Sequence, residues 1–119
     1  MANFSLTVPG CPVPKQRARR AKNGTWYTPT RTKKYEEEVA TIALSHNMRP
    51  ATEPVRMTID IYWPDKRRRD LDNACKSIGD ALNGIAYEDD SQIAEIIMRA
   101  HLDRERPRAE VVIEIIEKN

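Results

Sequence analysis

Asp65-Lys66-Arg67-Arg68-Arg69-Asp70-Leu71-Asp72-Asn73, with Lys76 one helical turn further on, sets a run of four cations directly against two carboxylates. Cations at that density grip phosphates, and neighbouring carboxylates hold a divalent cation. Phosphodiester hydrolysis needs both together, because the metal must be delivered onto an anionic backbone that the protein already holds. A second acidic cluster, Glu88-Asp89-Asp90, follows one short helix later and supplies further oxygen ligands. On its residues alone the chain reads as a metal-dependent DNA nuclease.

The spacing of the acids constrains how they can act. Two residues apart on a regular helix, Asp70 and Asp72 diverge; two apart on extended backbone, they share a face. The arrangement that reconciles them puts Asp70 at or before a helix N-cap and Asp72 in the first turn, where free N–H groups and the macrodipole favour ionised carboxylates. Lys76, one turn beyond, reaches the same metal or phosphate, where it orients water, neutralises the transition state or steadies the leaving oxygen. The competing reading makes Asp70 an ordinary cap and Asp72, Lys76 and Asp80 an i,i+4 ion-pair ladder. A cap needs no adjoining run of four cations, which favours the first reading. For Glu88-Asp89-Asp90 the alternative is a solvated turn, and the sequence does not choose between Asp89 and Asp90 as the ligand.

These residues must be positioned by a small scaffold. Phe4, Leu6 and Val8 alternate with polar neighbours, predicting a half-buried strand that ends at Pro9-Gly10. Residues 10–30 form a basic loop without periodicity, and loops of that length in a small domain are functional or disordered. Thr32 to His46 predicts a helix that buries Tyr35, Val39, Ile42 and Ala43. Val55, Met57, Ile59, Ile61 and Trp63 alternate as the clearest strand, stopped by Pro64. A second helix runs from about Asp70 to Leu82 or Asn83, with Gly84 as C-cap and Leu71, Cys75, Ile78 and Leu82 as its buried stripe. At about 100° per residue, Asp72, Lys76 and Asp80 then share the exposed ridge. Ala94 to Ala100 and Val111 to Ile116 mark two final strands around a turn at Asp103–Pro107. The order β-α-β-α-β-β predicts an α+β fold, a single small domain over 1–119 with a mixed sheet packed by two helices.

Bulk properties narrow the class. At 119 residues with 39% hydrophobic and 32% charged residues, the core is small, and a second subunit would help bury apolar surface. The net charge is only +2, yet no acidic residue precedes Glu36, whereas Lys15, Arg17, Arg19, Arg20, Lys22, Arg31, Lys33 and Lys34 do. Such a block is a solvated face or a polyanion-binding arm. Trp26 and Tyr27 within it either stack on unpaired bases or sugars, or anchor the arm to the body. No signal-peptide pattern and no run near the roughly 18 apolar residues of a membrane span occurs. Cys11 and Cys75 lack metal-ligand spacing, and His46 and His101 stand apart, so the expectation is a cytoplasmic protein without membrane association or zinc.

The stretch from Asp65 to Asn73, then Lys76, Asp80-Ala81-Leu82, Gly84 and Asp89-Asp90-Ser91-Gln92-Ile93, closely resembles the RusA family of Holliday junction resolvases. The N-terminal half resembles it too, in Pro9-Gly10-Cys11-Pro12-Val13-Pro14-Lys15, the Arg-rich loop and Tyr27-Thr28-Pro29 before a Glu-rich helix. The resemblance implies a homodimeric endonuclease, dependent on Mg²⁺ with Mn²⁺ as a substitute, that makes paired nicks across a four-way DNA junction in recombination and repair. It implies Asp70, Asp72 and Asp90 as the essential metal-binding carboxylates and Lys76 as the essential cation, with no small-molecule cofactor. Lys15, Arg17, Arg19, Arg20, Lys66, Arg67, Arg68 and Arg69 are the expected DNA-binding residues. One such acidic site per chain and two symmetric cuts per junction agree with a two-fold dimer. A nuclease of flaps or general duplex, and a non-catalytic nucleic-acid-binding module, are the alternatives.

Overall fold

The computed structural model describes residues 4–47 and 49–116. In chain order it contains β1 (Phe4–Pro9), β2 (Arg19–Arg20), β3 (Trp26–Tyr27), α1 (Thr30–Ser45), β4 (Val55–Trp63), α2 (Leu71–Leu82), a single 3₁₀ turn (Asp90–Gln92), β5 (Ile93–Leu102) and β6 (Arg108–Ile115). The main sheet has the order β1-β6-β4-β5. It is mixed: β4 runs parallel to β5 and antiparallel to β6, which pairs antiparallel with β1. The expected α+β order is thus realised. The parallel pair requires a crossover, and α2 supplies it.

The alternation read along β4 is the reason for its central place. Val55, Met57, Ile59, Ile61 and Trp63 are buried against the helices, beside Val111 and Ile113 of β6 and Leu6 and Val8 of β1. Tyr35, Val39 and Ala43 of α1 and Cys75, Ile78 and Leu82 of α2 close the same core. The opposite face of the sheet is held by cross-strand polar contacts. Arg56 meets Glu95 at 2.9 Å, and Asp60 meets both Arg99 and His101 at 2.7 Å. Tyr62 stacks on the His101 ring with centroids 4.5 Å apart, while the Arg108 guanidinium lies 3.8 Å from the Tyr62 centroid.

Two features differ from the sequence expectation. The loop of residues 10–30 is not featureless, because Arg19–Arg20 and Trp26–Tyr27 pair as a short antiparallel ribbon. A two-residue strand is too short to produce a periodic signal. The α1 helix begins two residues earlier than read, after Pro29, whose fixed φ suits a helix entry. At the other side of the sheet, β5 is an edge strand that α2 covers only in part, so Ile96 and Leu102 remain 47% and 45% exposed. Among the described residues no helix is long and apolar enough to cross a membrane.

Candidate active site

The approach to the site is built by one carboxylate. After Pro64 ends β4, Asp65 accepts the Arg67 N–H at 2.9 Å and both terminal nitrogens of Arg69 at 2.6 and 3.3 Å. The Arg69 guanidinium bonds and the Arg67 N–H hold the Asp65 carboxyl down at about 2. Arg69 also lies over the Trp63 ring, 5.0 Å from its centroid, and is half-buried. Lys66, Arg67 and Arg68 are left exposed at the rim. The four cations are therefore not equivalent: one side chain shapes the loop, and three face solvent.

Asp70 is the N-cap of α2, with extended backbone at φ −92° and ψ 104°, as its spacing from Asp72 requires. Its Oδ1 accepts the Asn73 main-chain N–H at 3.1 Å, and its Oδ2 accepts the Asn73 side-chain amide at 2.8 Å. Asp72 falls in the first helical turn. It lines two adjoining concavities. One, of about 190 Å³, also takes Lys76, Asp80 and Asp90, with Met57, Gly79, Tyr87, Ile96 and Met98 among its walls. The other is shallower, at about 550 Å³, and is lined by Arg68, Arg69, Asp70, Leu71, Asp72 and Met98. Asp72 is the partition between Asp70 on one side and Asp90 on the other.

The structure also sorts the second acidic cluster. Asp89 caps the 3₁₀ turn, accepting the Ser91 N–H at 3.0 Å, while Gln92 accepts the Asp89 N–H at 2.8 Å. The Gln92 amide then donates to Ala51 O and Glu53 O at 2.8 and 2.9 Å, which ties the turn to the segment entering β4. The hydrogen bonds from Ser91 lower the Asp89 pKa. Asp90 is exposed, its carboxylate accepts no hydrogen bond among the described residues, and it lines the cleft with Asp72 and Lys76. The cluster is a capped turn, with one acid consumed by capping and the next left over.

The ion-pair ladder considered for α2 does not form. Lys76 has no ion pair among the described residues, and Asp80 instead meets Lys15 at 3.2 Å. The same Lys15 ammonium reaches Glu36 of α1 at 2.6 Å. Burial opposes its charge, but the hydrogen bonds it donates to Glu36 and Asp80 outweigh that and raise its pKa. Its main-chain N–H donates to Asn73 O at 2.8 Å, and the Ser77 hydroxyl donates to Val13 O at 2.8 Å. Lys15 is thus a clamp between the basic arm and both helices. Arg17, Arg19 and Arg20 beyond it are exposed. Beneath the cleft, the buried Tyr87 hydroxyl donates to Gly79 O at 2.7 Å. The Cys75 thiol is pushed up to about 12 by burial, with the charges of Asp72 and Asp60 adding to it, which makes it a packing residue.

The donor set is exposed carboxylate oxygen, which suits a hard divalent cation. Among the described residues no three His, Cys, Asp or Glu side chains converge closely enough to hold a metal ion as they stand. Mg²⁺ commonly takes one or two carboxylates and completes its shell with water and substrate phosphate. Asp72 and Asp90, in one cleft, fit that requirement, and Asp70 adjoins across Asp72. The residue that sequence reasoning missed is Asn73. Its signal was present, since a cap and its partner three residues on have capping-box spacing.

A row of solvent-facing carboxylates beside a cation-rich arm, on a small α+β scaffold, is the equipment of a protein that works on a polyanion. This chain belongs to the endodeoxyribonuclease RusA family, whose model matches residues 9–114. The crossover junction endodeoxyribonuclease RusA of Escherichia coli (strain K12) is 32% identical over 97 residues, covering 80% of each chain. The protein of the same name from Enterobacteria phage 82 is 31% identical with the same coverage. The uncharacterised protein YqaN of Bacillus subtilis (strain 168) is 32% identical, covering 92% of this chain and 94% of its own. The chain is accordingly an endodeoxyribonuclease by family.

Proposed function

We propose that this chain is a Mg²⁺-dependent, structure-selective endonuclease that resolves Holliday junctions by paired symmetric nicks, in DNA recombination and repair. The observation that carries the reading is the company of Asp72, Lys76 and Asp90 in one cleft of a chain whose family is endodeoxyribonuclease RusA. Asp72 and Asp90, with Asp70 beside them, would hold the ion, and Mn²⁺ is the expected substitute. When bound, the ion supplies an acidified water and neutralises phosphate charge. Lys76, without a carboxylate partner among the described residues, offers its ammonium to the phosphate oxygens as charge develops on them. Apolar walls at Met57, Ile96 and Met98 thin the water around that charge and strengthen its effect.

Lys66, Arg67 and Arg68 at the rim, and Arg17, Arg19 and Arg20 on the arm, hold flanking phosphates, which positions DNA without reading its sequence. Lys15 and Arg69 contribute by fixing the arm and the rim, each within reach of the backbone they shape. The described residues of each chain form one such acidic cleft, so two symmetric nicks call for two copies. The half-covered edge strand β5, with Leu102 exposed beyond the cleft, offers an apolar surface to a two-fold partner. The setting is the cytoplasm, and no membrane or small-molecule cofactor enters the scheme.

The test is a labelled synthetic four-way junction beside its matching linear duplex, with Mg²⁺ or EDTA, and an Asp72→Asn control. Symmetric nicks on the junction alone, lost in EDTA and in the variant while binding persists, are the expected result. Binding without cleavage across varied junction sequences, in Mg²⁺ and in Mn²⁺, would refute the reading and leave a DNA-binding module.

A further inference from the structure

The ribbon of β2 and β3 stands on a rigid root beside the cleft. Lys15 N–H and Val13 O are bonded to Asn73 and Ser77 of α2, which are immediate neighbours of Asp72 and Lys76. The Gln16 N–H adds a bond to the Thr32 hydroxyl of α1 at 3.2 Å. The tip is also ordered. Ala21 N–H donates to Thr25 O at 2.8 Å, Gly24 N–H donates to Ala21 O at 2.9 Å, and Gly24 takes the positive φ of 88° that this tight turn demands. What is held between root and tip is an arm with two large aromatic rings in solvent: Trp26 is 66% and Tyr27 46% exposed. With two thirds of Trp26 in solvent, little of its ring is left to anchor the arm to the body.

The register gives the arm a chemistry. Arg20 is paired across the ribbon with Trp26, and Arg19 with Tyr27. Directly paired residues share a face, and successive residues alternate faces. Each face of the ribbon therefore presents one guanidinium and one ring. No carboxylate occurs in the first 35 residues to oppose them. A guanidinium beside an open ring matches a phosphate beside an unstacked base, and every base has a π-face to offer. In continuous duplex the bases are stacked on one another, and a ring can meet only groove or sugar. At a branch point the stack is interrupted.

On this basis, and resting on the junction reading above, we propose that Trp26 stacks on an unstacked nucleobase at the branch point of a four-way DNA junction, with Arg20 on the adjoining phosphate. The arm thereby contributes to junction selectivity. Trp26 is chosen over Tyr27 for its greater exposure and larger π surface.

The experiment measures binding of the full chain in EDTA, so that nothing is cut. The probes are a four-way junction carrying 2-aminopurine at the branch point and a linear duplex carrying it internally. The unaltered chain is compared with Trp26→Ala and Trp26→Phe. Trp26→Ala should lose about 5- to 100-fold in junction affinity. It should keep duplex affinity and abolish the branch-point 2-aminopurine response, while Trp26→Phe restores most of both. Equal losses on junction and duplex would overturn the proposal in favour of a ring packed on sugar. Unchanged junction affinity and emission in Trp26→Ala would overturn it in favour of a protein partner or no partner. If the unaltered chain does not prefer the junction, the junction reading has failed first, and that is seen before any variant is compared.

Discussion

Asn73→Ala separates the stability of the site from its chemistry. The side-chain amide of Asn73 donates to Asp70 Oδ2 at 2.8 Å, while its main-chain N–H donates to Oδ1 at 3.1 Å and survives the substitution. The fold loses one charge-assisted bond in a solvent-exposed position, about 1 kcal/mol. It regains roughly 0.6 kcal/mol, because Ala has the better helix propensity. The net is a few tenths, about 2 °C in Tm for a chain of this size. The effect on Asp70 in its proposed role as a metal ligand is larger. A carboxylate held at both oxygens becomes held at one, and loss of such a supporting bond typically costs 10- to 100-fold in metal affinity or activity. That corresponds to about 1.4–2.7 kcal/mol in the barrier. The assay is junction nicking across a Mg²⁺ titration, alongside thermal melting followed by circular dichroism. The expected result is a lowered rate or a raised half-saturating Mg²⁺ with Tm nearly unchanged. In an Asp70→Asn background the second substitution should add almost nothing, because Asn73 acts through Asp70. Unaltered Mg²⁺ dependence, or a fall in Tm above about 8 °C, would refute the reasoning.

Other substitutions probe the scaffold. The Tyr35 hydroxyl is buried without a hydrogen-bond partner among the described residues, an arrangement that costs roughly 1–3 kcal/mol. Tyr35→Phe should therefore raise stability by about 1 kcal/mol in denaturant melts, and a clear loss would mean that the hydroxyl is bonded. With its thiol pushed up to about 12 by burial, Cys75 should resist maleimide at pH 8 until the protein unfolds, leaving half-exposed Cys11 as the fast site. Rapid labelling of both would contradict the packing of α2. Asp65, held at about 2 by Arg69 and the Arg67 N–H, is depressed below its unfolded value. Its stabilising effect is thus complete above that unfolded value, about 4, and is lost as pH falls through about 2. An NMR titration should find this midpoint and see it return toward the ordinary carboxylate range in Arg69→Met; a wild-type midpoint already there would remove the Asp65–Arg69 brace.

Much of the fold and part of the site follow from local spacing. Alternation from Val55 to Trp63 made β4, and the spacing of Cys75, Ile78 and Leu82 set the buried stripe of α2, with Leu71 only half-buried at its start. These are periodicities of the backbone itself, so they are legible without a partner. The same holds for Asp70, whose two-residue spacing from Asp72 demanded a cap, and for the exposed ridge of Asp72, Lys76 and Asp80. What local spacing does not contain is which polar group is already satisfied. Asp80 left the ladder because Lys15, 65 residues earlier, was folded onto it. Asp90 remained available because Asp89 spent its carboxylate on a turn that Gln92 pins to Ala51, 41 residues away. Arg69 differs from Arg68 through its contacts with Trp63 and Asp65. The open edge of β5 follows from strand order, which pairing across the whole chain decides. Sequence by itself determined the elements and the donor types; tertiary structure decided which donors stay free, because hydrogen bonds and ion pairs between distant segments consume them one by one.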